Sequence, residues 1–163
     1  MAFPLHPETP DEGRSLEELF AGRMVDINQM LSRLKHTADG LGLPFGARTM
    51  TYNSRRAQEL GKWAEINGCG QAFHDMVFRA YFAEGRNIAR LEVLKDLAAK
   101  VGLNPEEAIK VLEEGRFQAA VDRDWQRSRQ LAITAVPTFV CNGRRLVGAQ
   151  SFEALSELVL GRG

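Results

Sequence analysis

Along most of the chain, apolar residues recur at spacings of three and four, the signature of amphipathic helices. Ile27, Leu31, Leu34, Ala38 and Leu41 mark one face of a helix from about Met24 to Gly40. Before it, Ser15 with Glu18 three residues on has the capping-box pattern and predicts a short helix over Leu16 to Phe20. Leu43-Pro44-Phe45-Gly46 breaks the period. Asn53 or Ser54 can then cap a helix through Ile66 with Ala57, Leu60 and Ala64 inward, stopped by Gly68 and Gly70. Ala72 to Phe82 is apolar nearly all round, which predicts a helix sheathed on several sides, the buried spine of a helical bundle. Leu91, Leu94, Ala98 and Val101 form the next stripe. Asn104-Pro105-Glu106-Glu107 joins a capping side chain, proline at the first helical position and acids at the positive end of the dipole. A helix from Arg116 to about Leu131 carries Phe117, Ala120, Val121 and Trp125 inward and Arg123, Arg127 and Arg129 outward. Finally, Ser151 caps Phe152 to Leu160, with Leu155, Leu158 and Val159 facing a sheet.

The pattern differs at two places. Residues 2 to 6 form a short apolar strand candidate, ended by Pro7 and Pro10, whose rings make the next residues an extended, turning connection. Val136 to Cys141 is β-branched and aromatic, Asn142-Gly143 is the strongest short-range signal for a type I′ turn, and Arg144 to Val147 returns as a second strand. Pro137 stands where this hairpin begins. It cannot donate to a ladder, so it lies where no hydrogen bond is wanted or where the backbone turns towards something else.

Composition narrows the class. The 163 residues are 44% hydrophobic, with 21 basic and 21 acidic side chains, which fits one globular domain and gives no electrostatic footprint for nucleic acid. No apolar stretch approaches the length of a membrane span, and the start, Met-Ala-Phe-Pro-Leu-His-Pro, lacks the plan of a secretory leader. The expectation is a cytoplasmic protein that engages neither membrane nor nucleic acid. Cys69 and Cys141 form no pair motif and are expected as reduced thiols, Cys69 at a helix boundary and Cys141 as buried filler. His6, His36 and His74 have no spacing suited to a metal, so no metal or cofactor is expected. Trp63, Phe73, Phe78, Tyr81, Phe82 and Trp125 are expected in the core. No Ser-His-Asp arrangement, phosphate-binding glycine loop or paired catalytic carboxylates can be assembled from the spacings.

Val-Pro-Thr-Phe leading into a hairpin, then Gly148-Ala149-Gln150 and one last helix, resembles the C-terminal half of the thioredoxin fold. With Phe3 to Gly13, Asn53-Ser54-Arg55, Val77 to Phe82 and Ala120-Val121-Asp122, the resemblance covers nearly the whole chain. It points to the DsbA-type oxidoreductases of the FrnE branch. It implies an α/β, thioredoxin-like fold with a large all-helical insertion. Residues 1–14 and 133–163 would form an incomplete thioredoxin-like part and residues 15–132 the insertion. In that family the first strand, the Cys-x-x-Cys and the helix that carries it would precede Ala2, so this polypeptide reads as N-terminally truncated. The insertion overhangs the redox centre in that family and shapes the substrate groove.

The resemblance also implies that the Val136–Pro137 bond is cis, since a tertiary amide makes that isomer accessible to packing. Val136 and Pro137 would offer their backbone to an extended peptide or a thiol/disulfide substrate. No residue is assigned a catalytic role. The function implied is that of the protein disulfide oxidoreductase family, redox-inactive in this polypeptide because these residues hold no Cys-x-x-Cys. One alternative is a non-catalytic peptide-binding or dimerisation module. Another is a glutathione-dependent 2-hydroxychromene-2-carboxylate isomerase-like protein, which shares the inserted architecture. A homodimer that completes the missing strand is the expected assembly.

Overall fold

The computed structural model describes residues 1–161, so Arg162 and Gly163, the end of the expected 133–163 segment, lie outside it. Contacts divide the chain into two compact units, Pro4–Val121, and Met1–Phe3 together with the chain from Asp122 onward.

The Pro4–Val121 unit is helical. Its elements are β1 (Arg14–Ser15), α1 (Leu16–Leu19), α2 (Ile27–Gly40), β2 (Met50–Thr51), α3 (Arg55–Ile66), α4 (Gly70–Phe78), a π-helical turn (Arg79–Ala83), α5 (Leu91–Lys100), α6 (Pro105–Glu113) and the start of α7 (Gln118–Gln130). Leu60 and Ala64 of α3, Phe73 of α4, Leu94, Leu97 and Ala98 of α5, and Ala108, Val111 and Leu112 of α6 close one core. They fall at the three- and four-residue spacings that place side chains on one helix face. Each fully buried Leu or Phe contributes roughly 1.5–3 kcal/mol of transfer free energy.

The helix starts are set by side chains. Ser15 Oγ accepts from Glu18 N at 3.1 Å, and Glu18 accepts in turn from Ser15 N at 2.9 Å. The backbone hydrogen bond from Ser15, and then the one from its hydroxyl, hold the Glu18 carboxyl below the ordinary glutamate value. A carboxyl lowered on folding stabilises the fold above its unfolded value, and that contribution is lost as pH falls through the folded one. Asn104 caps α6, accepting from Glu106 N and Glu107 N at 2.9 and 3.0 Å. At α3 the cap position is Ser54, whose hydroxyl caps no helix N–H and instead accepts from Gln58 Nε2 at 2.9 Å; Asn53 Oδ1 accepts from Arg55 N.

Three expectations are corrected. First, residues 2 to 6 form no strand. Pro4 has no N–H, Ala2 N donates to Asp124 Oδ2 at 2.7 Å, and His6 (φ 51°) turns the chain so that Thr9 N reaches its carbonyl at 3.1 Å. The following loop is pinned by side chains: Asn53 Nδ2 donates to the Pro7 and Thr9 carbonyls, Asn87 Nδ2 to that of Asp11, and Arg56 to the Asp11 carboxylate.

Second, Ala72 to Phe82 is not sheathed all round. Phe73 is fully buried, but Phe78 is 59% exposed, and the helix widens into the π-turn. That turn carries Tyr81 and Phe82 against Arg48, whose guanidinium lies 4.6 Å from the Tyr81 ring centre. Gly46 makes this approach possible, because a Cβ there would stand 2.1 Å from the Ala83 carbonyl oxygen.

Third, the periodic face of α2 stays largely open. Ala38 is buried, whereas Leu34 and Leu41 are 43% and 68% exposed. A two-stranded antiparallel ladder, Arg14 opposite Thr51 and Ser15 opposite Met50, was not anticipated.

In the other unit, α7 leads to β3 (Thr138–Cys141), β4 (Arg144–Val147) and α8 (Phe152–Leu160). The strands form an antiparallel hairpin, and α8 packs against both. Among the described residues no helix is long and apolar enough to cross a membrane.

Candidate functional site: the proline loop and its hairpin

The hairpin register follows from its turn. Asn142 and Gly143 take φ of 49° and 76°, as a type I′ turn requires, and Cys141 faces Arg144. Phe139 then faces Leu146 and Thr138 faces Val147. Antiparallel ladders alternate hydrogen-bonded and open pairs. With Gly148 N donating to the Pro137 carbonyl at 2.8 Å, the bonded pairs fall at 137, 139 and 141. The N–H and C=O groups of Thr138 and Val140 therefore point away from β4, along the outer edge of β3.

The Val136–Pro137 bond is cis. Thr138 Oγ1 donates to the Ala135 carbonyl at 2.6 Å, and the Pro137 carbonyl is taken by Gly148, but Val136 has no hydrogen-bond partner for its N–H or C=O among the described residues. Its side chain is 47% exposed. Both residues expected to bind a substrate thus lie on an open loop, with the unpaired backbone at Val136 continuing into the open edge of β3.

The outer edge of β4 is partly blocked. The Val147 carbonyl accepts from Gln150 Nε2 at 2.7 Å, and charged Arg145 sits beside it, two devices that discourage strand addition. Behind the hairpin, Ser151 Oγ caps α8 through Ala154 N. Glu153 in that first turn is held below the usual carboxylate range by a backbone hydrogen bond at its own position, and secondly by Ser151.

The remaining candidates do not gather here. Cys141 lies half-buried on β3 itself, whereas Cys69 belongs to the other unit, at the start of α4, where its thiol donates to the Ala64 carbonyl at 3.6 Å. Both are free thiols. His74 stands 3.5 Å from a Glu65 oxygen, and among the described residues no three His, Cys, Asp or Glu side chains converge as a metal would need. Sequence reasoning missed Arg144 and Arg145. Their guanidinium groups reach backbone carbonyls at the ends of α8 and α7; the only signal was an Arg-Arg pair following the Asn-Gly turn.

A cis-proline loop feeding an antiparallel hairpin and a final helix, with a helical bundle inserted ahead of it, defines a thioredoxin-like protein of the DsbA type. Residues 1–159 match the DSBA-like thioredoxin domain, and the chain belongs to that family. Its structure is similar to that of a probable DsbA oxidoreductase from Streptomyces coelicolor, with a TM-score of 0.85 and 26% identity, covering 95% of this chain and 70% of that one. A Nitrosomonas europaea protein, provisionally designated a protein disulfide isomerase, shares the fold at a TM-score of 0.69 and 18% identity, covering 92% of this chain and 76% of that one. Over 91 residues the chain is 30% identical to the uncharacterized protein YwbO of Bacillus subtilis, 55% of this chain and 46% of that protein. The chain thus spans about half the length of that relative.

Proposed function

We propose that this chain is a peptide-binding member of the DsbA family. The Val136 backbone and the outer edge of β3 accept an extended segment in strand-like pairing, and the polypeptide by itself carries out no dithiol chemistry. The observation that carries this reading is the unpaired N–H and C=O of Val136, continuous with the outward-facing Thr138 and Val140. Backbone groups lined up in this way give affinity for any extended chain, with side-chain pockets adding selectivity. When no substrate is bound, a second copy of the chain covers the same edge, because an open strand edge recruits another strand.

Disulfide exchange needs a thiolate of lowered pKa and, for turnover, a nearby resolving thiol. The 163 residues hold two cysteines, 72 positions apart and in different units (141 − 69). Reduction of insulin disulfides by dithiothreitol is therefore expected to run at its uncatalysed rate with this chain present. Catalysis that disappeared in Cys69→Ser would overturn the redox-silent part of the proposal and make Cys69 the nucleophile. Light scattering at micromolar concentration tests the assembly, a dimer being the expected result and a monomer at all concentrations the contrary one.

A further inference from the structure

The carbonyls at the C-terminal end of a helix have no partner within it and carry the negative end of its dipole. At the end of α7, Ala132 enters the left-handed region (φ 50°), its N–H returning to the Arg129 carbonyl and that of Ile133 to Ser128, each at 2.9 Å. This double closure fixes where the chain leaves the helix, five residues before Pro137. Arg145 reaches that point from β4: Nη1 donates to the Ala132 carbonyl at 3.0 Å and Nη2 to that of Leu131. A guanidinium fork can hold two consecutive carbonyls at once, which an ammonium cannot do with the same rigidity.

Arg145 lies opposite Val140 in the hairpin, so one side chain ties the helix end, the start of the loop and the β3–β4 ladder into a single frame. Arg144 makes the corresponding link to α8, with Nη2 donating to the Glu157 and Leu158 carbonyls at 2.9 and 2.6 Å. Between the Arg145 tie at 131–132 and the Thr138 tie on Ala135, the loop is held at both ends.

We infer that Arg145 is a positioning residue for peptide binding: by clasping the end of α7 it holds the 133–137 loop so that the Val136 N–H and C=O stay aligned with the β3 edge. The inference rests on the peptide-binding reading given above. Arg145 itself touches no substrate; its effect is transmitted through the loop. Its loss should weaken binding without unfolding the protein, and lysine, which can still satisfy one carbonyl, should restore part of it.

The test uses the full chain unchanged and as Arg145→Gln and Arg145→Lys, with reduced, carboxymethylated insulin B chain as the probe. In Arg145→Gln, exchange of the Ile133 amide is expected to quicken about tenfold while the amides of α3 and α5 keep their rates, and the probe's Kd should rise about tenfold. Arg145→Lys should fall between the two on both readouts. A Kd equal to that of the unchanged chain would overturn the inference, as would exchange that quickens evenly throughout, since that marks a purely structural loss. If the unchanged chain fails to bind the probe, the peptide-binding reading itself falls, and the Ile133 exchange rate then decides whether Arg145 orders the loop.

Discussion

Replacing Phe73 by alanine is expected to destabilise the helical unit by about 3–5 kcal/mol, the range for deleting a large buried side chain that its surroundings cannot fill. The ring is fully buried in the core shared by α3, α4, α5 and α6. Its loss removes both the transfer free energy and the contacts of the side chains around the void. The effect should spread along the chain, because α4 runs directly into the π-turn that carries Tyr81 and Phe82. Urea unfolding followed by circular dichroism measures it. Phe78→Ala is the matched control: on the same helix but 59% exposed, it should cost less than about 1 kcal/mol. Similar losses for the two variants would mean that the core is misassigned.

Arg55→Met should cost about 3 kcal/mol by a different route. Glu59 is buried, its side chain only 5% exposed, and it accepts from Arg55 Nε at 2.6 Å. Removing one partner of a buried ion pair strands the other charge, which is far more damaging than replacing both. Arg55 also donates to the Gln118 carbonyl at 3.0 Å, linking α3 to the first residue of α7. The double variant Arg55→Met, Glu59→Leu should recover most of the loss. By contrast Lys35→Met, which breaks an ion pair whose side chains are both more than half exposed, should change stability by less than about 0.5 kcal/mol. A loss below about 1 kcal/mol for Arg55→Met, measured by the same unfolding experiment, would contradict this account of the pair.

The parts of the fold that depend on local chemistry could be read from the chain. The Ser15, Asn104 and Ser151 caps, the inward faces of α3 and α5, and the Asn-Gly hairpin each require only residues close in sequence. What failed depended on the environment. The α2 period marks an apolar face but cannot say whether another element covers it. The apolar run through Phe78 says nothing about which side meets solvent. The β1–β2 ladder, two residues on each strand, is too short to show a period at all, and the strand expected at residues 2 to 6 lost its claim to side-chain and turn bonds formed elsewhere. At the candidate site, Val136 and Pro137 were singled out by a motif, whereas Arg145 acts through the carbonyls of a helix end, contacts that spacing cannot reveal.

The most direct test of the peptide-binding claim is a titration of the isotope-labelled chain with reduced, carboxymethylated insulin B chain, followed by amide NMR. The expected result is that the signals of Val136, Thr138 and Val140 shift together and gain protection from exchange, while Arg145 and Val147 on the opposite edge stay in place. Shifts confined to the β4 edge or to α2, with Val136 unmoved at saturation, would contradict it.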